Sequence, residues 1–255
     1  MTTCIFCGEP FGPQRPRSKE HAAPEWCRKL LPDLGPAQHT FIIETADGRE
    51  ELDHGERDPF TTVCGDVCRA CNNGWMHELE ESTEALLSRM IQGGSRNVRY
   101  WRQTLAATWA VKTAMVWDAV SPKDRTIPLD VLRSFHRMQR LNLRQQVWTG
   151  RYVGTQPHHS FRRTAAHVVG PVSGGSDDPQ DAHAYVVALT VGQLAFVVFG
   201  HVLAVPFNFS LPEQIAPRLE PIWPPTHEVV KWPPSDAVDD TALEDLVRSL
   251  GFSIS

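Results

Sequence analysis

Cys4-Ile5-Phe6-Cys7 and Cys68-Arg69-Ala70-Cys71 are two Cys-x-x-Cys turns that flank the segment Glu20-His21-Ala22-Ala23-Pro24. In a Cys-x-x-Cys turn, two thiolates converge on one metal ion at about 2.3 Å, and two such turns complete a closed tetrahedral Zn²⁺ site. The two turns therefore predict one structural zinc ion, bound by Cys4, Cys7, Cys68 and Cys71.

Two other uses of paired cysteines fit this sequence less well. Disulfide frameworks are typical of short secreted chains, whereas this chain has 255 residues, 6 cysteines and no apolar leader after Met1. A redox-active pair needs no second pair and lies in a βαβ unit. We therefore expect a cytoplasmic protein. Cys27 is expected to be a buried apolar residue, and Cys64 is an alternative to Cys68 as a ligand, although the spacing favours Cys68.

The segment between the turns carries groups suited to hydrolysis. Glu20 offers a hard oxygen ligand of the kind that Mg²⁺ and Mn²⁺ prefer, and His21 offers an imidazole that can act as a general base. Neighbouring residues of an extended segment point to opposite sides, so the two could act on one phosphate from two directions. Asn72 precedes a predicted helix over residues 73–91, where its side-chain oxygen could face the metal on Glu20. Taken alone, each residue also fits an ordinary surface or capping role.

These motifs together resemble those of the HNH endonucleases. The resemblance is to the zinc-containing ββα-metal branch, which opens with CxxCG, carries an acidic-His-x-x-Pro core and closes with CxxCN. It covers residues 1–92. The matching stretches are Cys4-Ile5-Phe6-Cys7-Gly8, Ser18-Lys19-Glu20-His21-Ala22-Ala23-Pro24 and Val67-Cys68-Arg69-Ala70-Cys71-Asn72-Asn73-Gly74-Trp75.

The resemblance implies a role for each matching residue. Glu20 and Asn72 would bind a catalytic divalent ion, Mg²⁺ or Mn²⁺, and His21 would activate water. The four cysteines would hold structural zinc. The implied reaction is hydrolysis of phosphodiester bonds in nucleic acid, with DNA favoured over RNA.

The chain departs from the family pattern at two positions. The family more often has Asp or His where this chain has Glu20. Its central Asn, which orients the base, has no counterpart here, because no Asn occurs between His21 and Cys68. A backbone carbonyl could replace that Asn, as could Gln38, His39, His54, Thr61 or Thr62. Two alternative functions therefore stay open: a zinc-dependent nucleic-acid-binding module without cleavage, and a protein-interaction scaffold in which the zinc is structural.

The formal net charge of −5 hides a strong segregation of charge along the chain. Residues 96–165 hold 13 Lys or Arg and 3 Asp or Glu, whereas residues 1–95 hold 9 and 16 and residues 166–255 hold 3 and 11. A protein that acts on a polyanion needs a basic surface, so we expect phosphates to lie on the central segment.

Apolar spacing predicts two helices in this basic segment. The first spans residues 98–120, with Trp101, Leu105, Trp109 and Val116 at helical spacing. The second runs from Pro128 to about Arg144 and would bury Val131, Leu132, Phe135, Met138 and Leu141. Its opposite face would present Arg133, Arg137, Arg140 and Arg144, which we predict to bind phosphate. The alternative is a solvated charged face.

Strand-like sequence dominates beyond residue 145, at 145–153, 161–169, 184–191 and 194–205, with a turn at Gly192-Gln193. Residues 182–212 carry no formal charge, but polar residues, glycine and proline interrupt them and no positive cluster flanks them. No membrane span is therefore expected. Trp223 and Trp232, each followed by two prolines, are expected to pack against a sheet rather than stack on bases.

The sequence thus predicts an α+β fold in two parts. Residues 1–95 would form the ββα-metal zinc finger, and residues 96–255 a basic helical segment plus a β-rich C-terminal part. The predicted function is that of a metal-dependent endonuclease with nucleic acid as its partner.

Overall fold

The computed structural model describes residues 2–32, 37–45, 48–57, 60–120, 125–155, 158–168, 182–202 and 209–249. The helices are α1 (Glu25–Leu30), α2 (Arg69–Cys71), α3 (His77–Ile91), α4 (Tyr100–Val120), α5 (Leu129–Met138) and α6 (Asp240–Ser249). The strands are β1 (Arg17–His21), β2 (Ala37–Thr45), β3 (Gly48–Arg57), β4 (Val63–Cys68), β5 (Arg96–Arg99), β6 (Gln145–Tyr152), β7 (His158–Val168), β8 (Ala182–Val191), β9 (Leu194–His201), β10 (Glu220–Trp223), β11 (Val229–Trp232) and β12 (Ala237–Val238). This mixture of helix and sheet confirms the predicted α+β class.

The N-terminal part is built on a short antiparallel pair of strands, β1 and β4, followed by a long helical run. Glu20 lies opposite Cys64 in this pair, and His21 lies opposite Val63. The helical run begins as α2, is kinked over Asn72–Met76, where Gly74 has non-helical backbone angles (φ −98°, ψ −116°), and continues as α3. The predicted helix is therefore present, and it starts earlier than expected, directly after Cys68.

The central helix of the structure is α4. Every residue from Trp109 to Ala119 is buried, because α4 packs against α3 and also against strands of the large sheet. The Trp109 ring lies 6.2 Å from that of Trp26 in α1 and 5.9 Å from that of Phe196 in β9. Burial on all sides explains why this part of α4 is apolar apart from Lys112, Thr113 and Asp118.

A six-stranded sheet forms the C-terminal part. Its order is β10-β6-β9-β8-β7, and β12 pairs in parallel with β6. The strands predicted from residue 145 onward are present, and Gly192-Gln193 forms the turn between β8 and β9. Gly192 has a φ of +55°, and a side-chain carbon there would lie 2.7 Å from the carbonyl oxygen of Ile91. Both the backbone angle and the close approach therefore require glycine.

The two middle strands of this sheet, β8 and β9, are buried on both faces. Alternate residues such as Val187 and Phe196 share a core with α4, and the residues between them, such as Val186 and Val197, pack with α6. This arrangement accounts for the uncharged stretch without a membrane. Among the described residues, no helix has the length and apolar character needed to cross a bilayer.

The basic segment departs from its prediction in two places. The extension of the second helix to Arg144 is wrong, because α5 ends at Met138 and Gln139 adopts a left-handed conformation with φ of 47°. Arg140 and Arg144 therefore lie beyond the helix, and Met138, expected to be buried, is 44% exposed. The four predicted arginines do not share one helical face.

The tryptophans also divide differently from their spacing. Trp109 is buried as expected, whereas Trp101, two turns earlier in α4, is 58% exposed. Trp232 is buried, and the half-buried Trp223 donates a hydrogen bond from Nε1 to the carbonyl of Asn142 at 3.0 Å. The expected packing role of these last two is therefore confirmed.

The predicted boundary between residues 95 and 96 does not separate two cores. Buried residues from Cys4 in the first Cys-x-x-Cys turn (the first knuckle, Cys4–Cys7) to Trp232 in β11 belong to one hydrophobic cluster. A second, smaller cluster lies between the sheet and α6. The division into two domains stays a prediction from the sequence.

Candidate metal centre and the ion cluster beside it

The side chains of Cys4, Cys7, Cys68 and Cys71 converge on one point. All four Sγ atoms lie within 4.8 Å of one another, with 3.9 Å between Cys4 and Cys71 and 3.8 Å between Cys7 and Cys68. Four thiolates at about 2.3 Å from a tetrahedral zinc ion are about 3.8 Å apart, which matches this spacing. The four predicted cysteines therefore form a site that can hold a structural metal ion such as zinc.

The other two cysteines lie outside this site. Cys64 is buried, with its Sγ 3.8 Å from the carbonyl oxygen of Ala119. Burial raises the pKa of Cys64 to about 12 and raises the pKa of Cys27 well above its usual value. Both side chains are thus neutral thiols in the core. Cys68, and not Cys64, belongs to the four-cysteine site, as the spacing favoured.

Backbone geometry holds the two knuckles together. The N–H of Cys68 donates to Cys4 Sγ at 3.4 Å, and the N–H of Ile5 donates to the Asp66 carbonyl at 3.0 Å. The N–H of Cys71 donates to Cys68 Sγ at 3.4 Å. Gly8 ends the first knuckle with a φ of +76°, a conformation that favours glycine. The thiols are therefore positioned by the chain itself.

Arg15 adds a positive charge beside the sulfur atoms. Its Nη1 lies 3.6 Å from Cys7 Sγ and 3.8 Å from Cys68 Sγ. The hydrogen bond to Cys68 raises the pKa of Arg15, and the hydrogen bond between Cys4 and Cys71 lowers the pKa of Cys4 to about 4. The same hydrogen bond raises the pKa of Cys71, so it favours the thiolate at Cys4 only. The Arg15 guanidinium favours the metal-binding thiolate form of Cys7 and Cys68.

The second cluster is a group of three charges around Lys112 in the middle of α4, in which Lys112 and Glu20 are buried and Glu80 is half-buried. The Lys112 Nζ donates to Glu20 Oε1 at 3.0 Å and to Glu80 Oε1 of α3 at 2.5 Å. Lys112 is 1% exposed and Glu20 is 4% exposed. One ammonium group therefore joins β1, α3 and α4, and it neutralises the carboxylate that the sequence assigned to a catalytic ion.

Burial and charge act against each other in this cluster. Burial alone would lower the pKa of Lys112, but attraction to Glu20 and Glu80 outweighs it, so the pKa is raised and the amine stays protonated. Burial, together with repulsion from Glu80, raises the pKa of Glu20 despite the neighbouring ammonium. The two shifts are consistent because one positive charge serves two carboxylates, and the more deeply buried Glu20 is the less well compensated.

Asn72 fixes the helical run to β1. Its Nδ2 donates to Ser18 Oγ at 2.8 Å and to the Lys19 carbonyl at 3.3 Å. The side chain that caps the helix start is that of Cys68, so Asn72 is not the N-cap. The amide group predicted to bind a catalytic ion is directed at the strand backbone next to Glu20.

His21 and Glu20 point to opposite sides of β1, as predicted, since His21 is exposed and Glu20 is buried. A divalent ion on Glu20 Oε1 would lie beside the Lys112 ammonium and be repelled by it. In this arrangement the residues do not fit a catalytic divalent ion. Among the groups considered for the missing Asn, Thr62 accepts through its carbonyl from the N–H of Ala22 at 2.9 Å. The side chains of Gln38, His39 and His54 lie outside the described part.

The predicted phosphate-binding arginines fall into two groups. Arg133 is half-buried over the Cys4–Gly8 turn, where a side-chain carbon on Gly8 would lie 3.4 Å from its Nε. Trp75 supports this contact, with ring distances of 5.5 Å to Phe6 and 5.8 Å to Phe135 of α5. Exposed side chains make up the second group: Arg137, Arg140 and Arg144.

Lys112, Glu80 and Arg15 are the site residues that sequence reasoning missed. Lys112 did leave a signal, because it is the only charged residue between Arg102 and Asp118 in an otherwise apolar helix. A buried lysine requires a carboxylate partner. The sequence does not reveal which carboxylate, since Glu20 and Glu80 are far from Lys112 along the chain.

Comparison with known proteins adds no assignment: no protein-family model, curated protein or solved structure matches this chain. The HNH resemblance of residues 1–92 stays a prediction.

Metal analysis of the purified protein should find one zinc ion per chain. Cys68→Ser removes one of four thiolates, so this variant should lose the zinc and unfold the N-terminal part. Structural zinc contributes about 10–16 kcal/mol to small zinc-binding domains. Cys64→Ala is the matched control, because Cys64 is buried in the same strand outside the ligand set, and it should keep one zinc. If Cys64→Ala loses the zinc and Cys68→Ser keeps it, Cys64 is the ligand.

Lys112→Met should destabilise the zinc-loaded protein by about 3–5 kcal/mol at pH 7, because Glu20 and Glu80 lose their shared counter-ion. Urea unfolding measures this change. The loss should shrink toward pH 5. Burial raises the pKa of Glu20 in the folded protein above its unfolded value, so the stability linked to its proton is present at low pH and is lost as the pH rises through the folded pKa.

The control for this variant removes all three charges. Lys112→Met combined with Glu20→Gln and Glu80→Gln leaves no unpaired charge, so it should recover most of the lost stability. If the single and triple variants are equally unstable at pH 7, the cluster acts through packing and not through charge.

Proposed function

We propose that this protein binds nucleic acid through its arginine-rich central segment, and that its zinc-stabilised finger supports binding rather than cleavage. The observation that carries the proposal is the 3.0 Å hydrogen bond between Lys112 Nζ and Glu20 Oε1. It keeps the acidic residue of the HNH-like motif paired inside the protein, where an HNH enzyme would need it for a metal ion.

The charge of the central segment supports nucleic acid as the ligand. Arg137, Arg140 and Arg144 are exposed, and none of them forms an ion pair with a carboxylate in the described parts of the chain. Unpaired surface arginines can neutralise phosphates and release counter-ions. Because α5 rests on the zinc knuckles through Trp75, the finger would fix the helix that carries Arg137.

A second candidate is a metal-dependent HNH endonuclease that hydrolyses phosphodiester bonds, with DNA as the favoured substrate. Two observations favour it: His21 is exposed at the end of β1, and Asn72 contacts the backbone next to Glu20. For this function Lys112 would have to leave Glu20, and His21 would take a proton from the attacking water.

Reversal of two surface arginines tests the binding proposal. Arg137→Glu with Arg140→Glu should weaken binding to labelled DNA similarly for all sequences, as measured by fluorescence anisotropy. The slope of log affinity against log salt should fall by roughly two, about 0.9 for each lost phosphate contact.

The matched control carries the same charge change elsewhere. Lys29→Glu with Arg218→Glu alters one cation at the end of α1 and one before β10, and it should leave the salt slope near that of the parent. If both double variants reduce affinity equally, only net charge matters and the central segment is not the binding surface.

A cleavage assay on the same preparations decides between the two candidates. Plasmid DNA and single strands should stay intact with Mg²⁺, Mn²⁺ or EDTA under conditions where the parent binds. Divalent-ion-dependent cleavage that falls about a hundredfold or more in His21→Ala would instead establish the endonuclease. If the protein neither binds nor cleaves nucleic acid, both candidates are contradicted and the protein-interaction scaffold is favoured.

A further inference from the structure

Two large aromatic side chains are exposed together in the first turn of α4. Tyr100 is 54% exposed and Trp101 is 58% exposed. Large aromatic residues bury much of their surface in most folded proteins, so an exposed adjacent pair indicates a contact surface. The buried Trp109 on the same helix shows that the fold has a place for tryptophan in its core.

Arginines surround this aromatic pair. Arg99 precedes it and Arg102 follows it, with the Arg102 guanidinium 4.8 Å from the centre of the Trp101 ring. Burial lowers the pKa of Arg96 in β5, and the positive charges of Arg102 and of Arg89 in α3 lower it further. No carboxylate within the described ranges forms an ion pair with any of the four. The surface thus combines two exposed aromatic rings, with the Arg102 guanidinium over one face of Trp101, and arginines that form no ion pair in the described parts of the chain.

We propose that Tyr100 and Trp101, with Arg99 and Arg102, form a stacking site for unpaired bases of single-stranded nucleic acid. Aromatic rings beside arginines are the combination that binds a flexible polyanion with exposed ring faces, since rings stack on bases and guanidinium groups contact phosphates. A duplex does not offer this, because its bases already stack on each other. The inference rests on the proposed function and narrows its ligand from nucleic acid in general to single strands.

The helix that carries the stacking site also forms one wall of a cleft that reaches the end of α5. Trp101 and Thr108 are seven residues apart on the same face of α4, a distance of about 10 Å along the axis. Thr108 lines a cleft of about 210 Å³ together with Phe135 and Gln139, and Gln139 lies directly between Arg137 and Arg140 in the chain past the end of the helix. We place a strand stacked on Trp101 along this cleft, toward these arginines.

The described lining of the cleft holds one carboxylate, that of Glu78. An acidic group repels phosphate, so the phosphates of a strand in the cleft would be directed away from Glu78. The apolar part of the lining comprises Trp75, Leu79 and Phe135.

Anisotropy titrations with a labelled oligothymidylate and a duplex of the same length test the site. Trp101→Ala should weaken binding of the single strand by about 5- to 150-fold, the range of one base–aromatic stacking contact, while affinity for the duplex changes less than twofold. Trp101→Phe should keep most of the affinity because it keeps a ring. Trp101 is exposed, so both variants should fold and hold zinc like the parent.

Val153→Ala is the matched control, since Val153 is an apolar residue with the same 54% exposure as Tyr100 but lies after β6. It should bind both ligands like the parent. Single-strand binding that is unchanged in Trp101→Ala overturns the stacking site, as does an equal loss for the duplex. Neither result affects the proposed function, which fails only if the parent binds no nucleic acid or the Arg137 and Arg140 reversal has no specific effect.

Discussion

A single buried ammonium group, that of Lys112, joins three elements of this structure. It reaches from the middle of α4 to Glu80 of α3 and to Glu20 of β1. Removing charges from water costs several kcal/mol for each ion, and only close pairing offsets that cost. The cluster therefore adds little net stability, but it penalises any packing of the three elements that separates the charges. We infer that it sets the position of the N-terminal part against the central helix.

The pairing of Glu20 with Lys112 separates two properties that the HNH resemblance implies together, a structural metal site and a catalytic metal site. The four-cysteine site needs only converging thiols, which the backbone hydrogen bonds and Arg15 hold in place. A catalytic ion needs a carboxylate oxygen as a ligand, and Glu20 Oε1 is instead bonded to the Lys112 ammonium. The first property is independent of the second, so a chain can keep the scaffold of the motif while its acidic residue takes a structural role.

How much of the fold and of the candidate site could be predicted from the sequence depends on how far apart along the chain the interacting residues lie. The cysteine ligands follow from local spacing, and the strands from 145 onward follow from runs of branched and aromatic residues. The end of α5 could not be predicted, because the residue in the left-handed conformation there is Gln139 and not the glycine or asparagine that usually marks a helix end. The exposure of Trp101 and the pairing of Lys112 with Glu20 arise from tertiary packing between distant segments, which helical periodicity along one segment does not contain.

The metal centre also changes the connectivity of the molecule. Cys4 and Cys7 lie before most of the N-terminal part, and Cys68 and Cys71 lie after it, so an ion bound to all four closes the chain between them into a ring. The entropy cost of such a closure grows only with the logarithm of ring length. Insertions between α1 and β4 would thus weaken the ring little, and a single backbone cut there would leave both ends tied through sulfur. In this respect the zinc would act as a reversible cross-link. A chelator would open it, and, unlike a disulfide, it would need no oxidation to form.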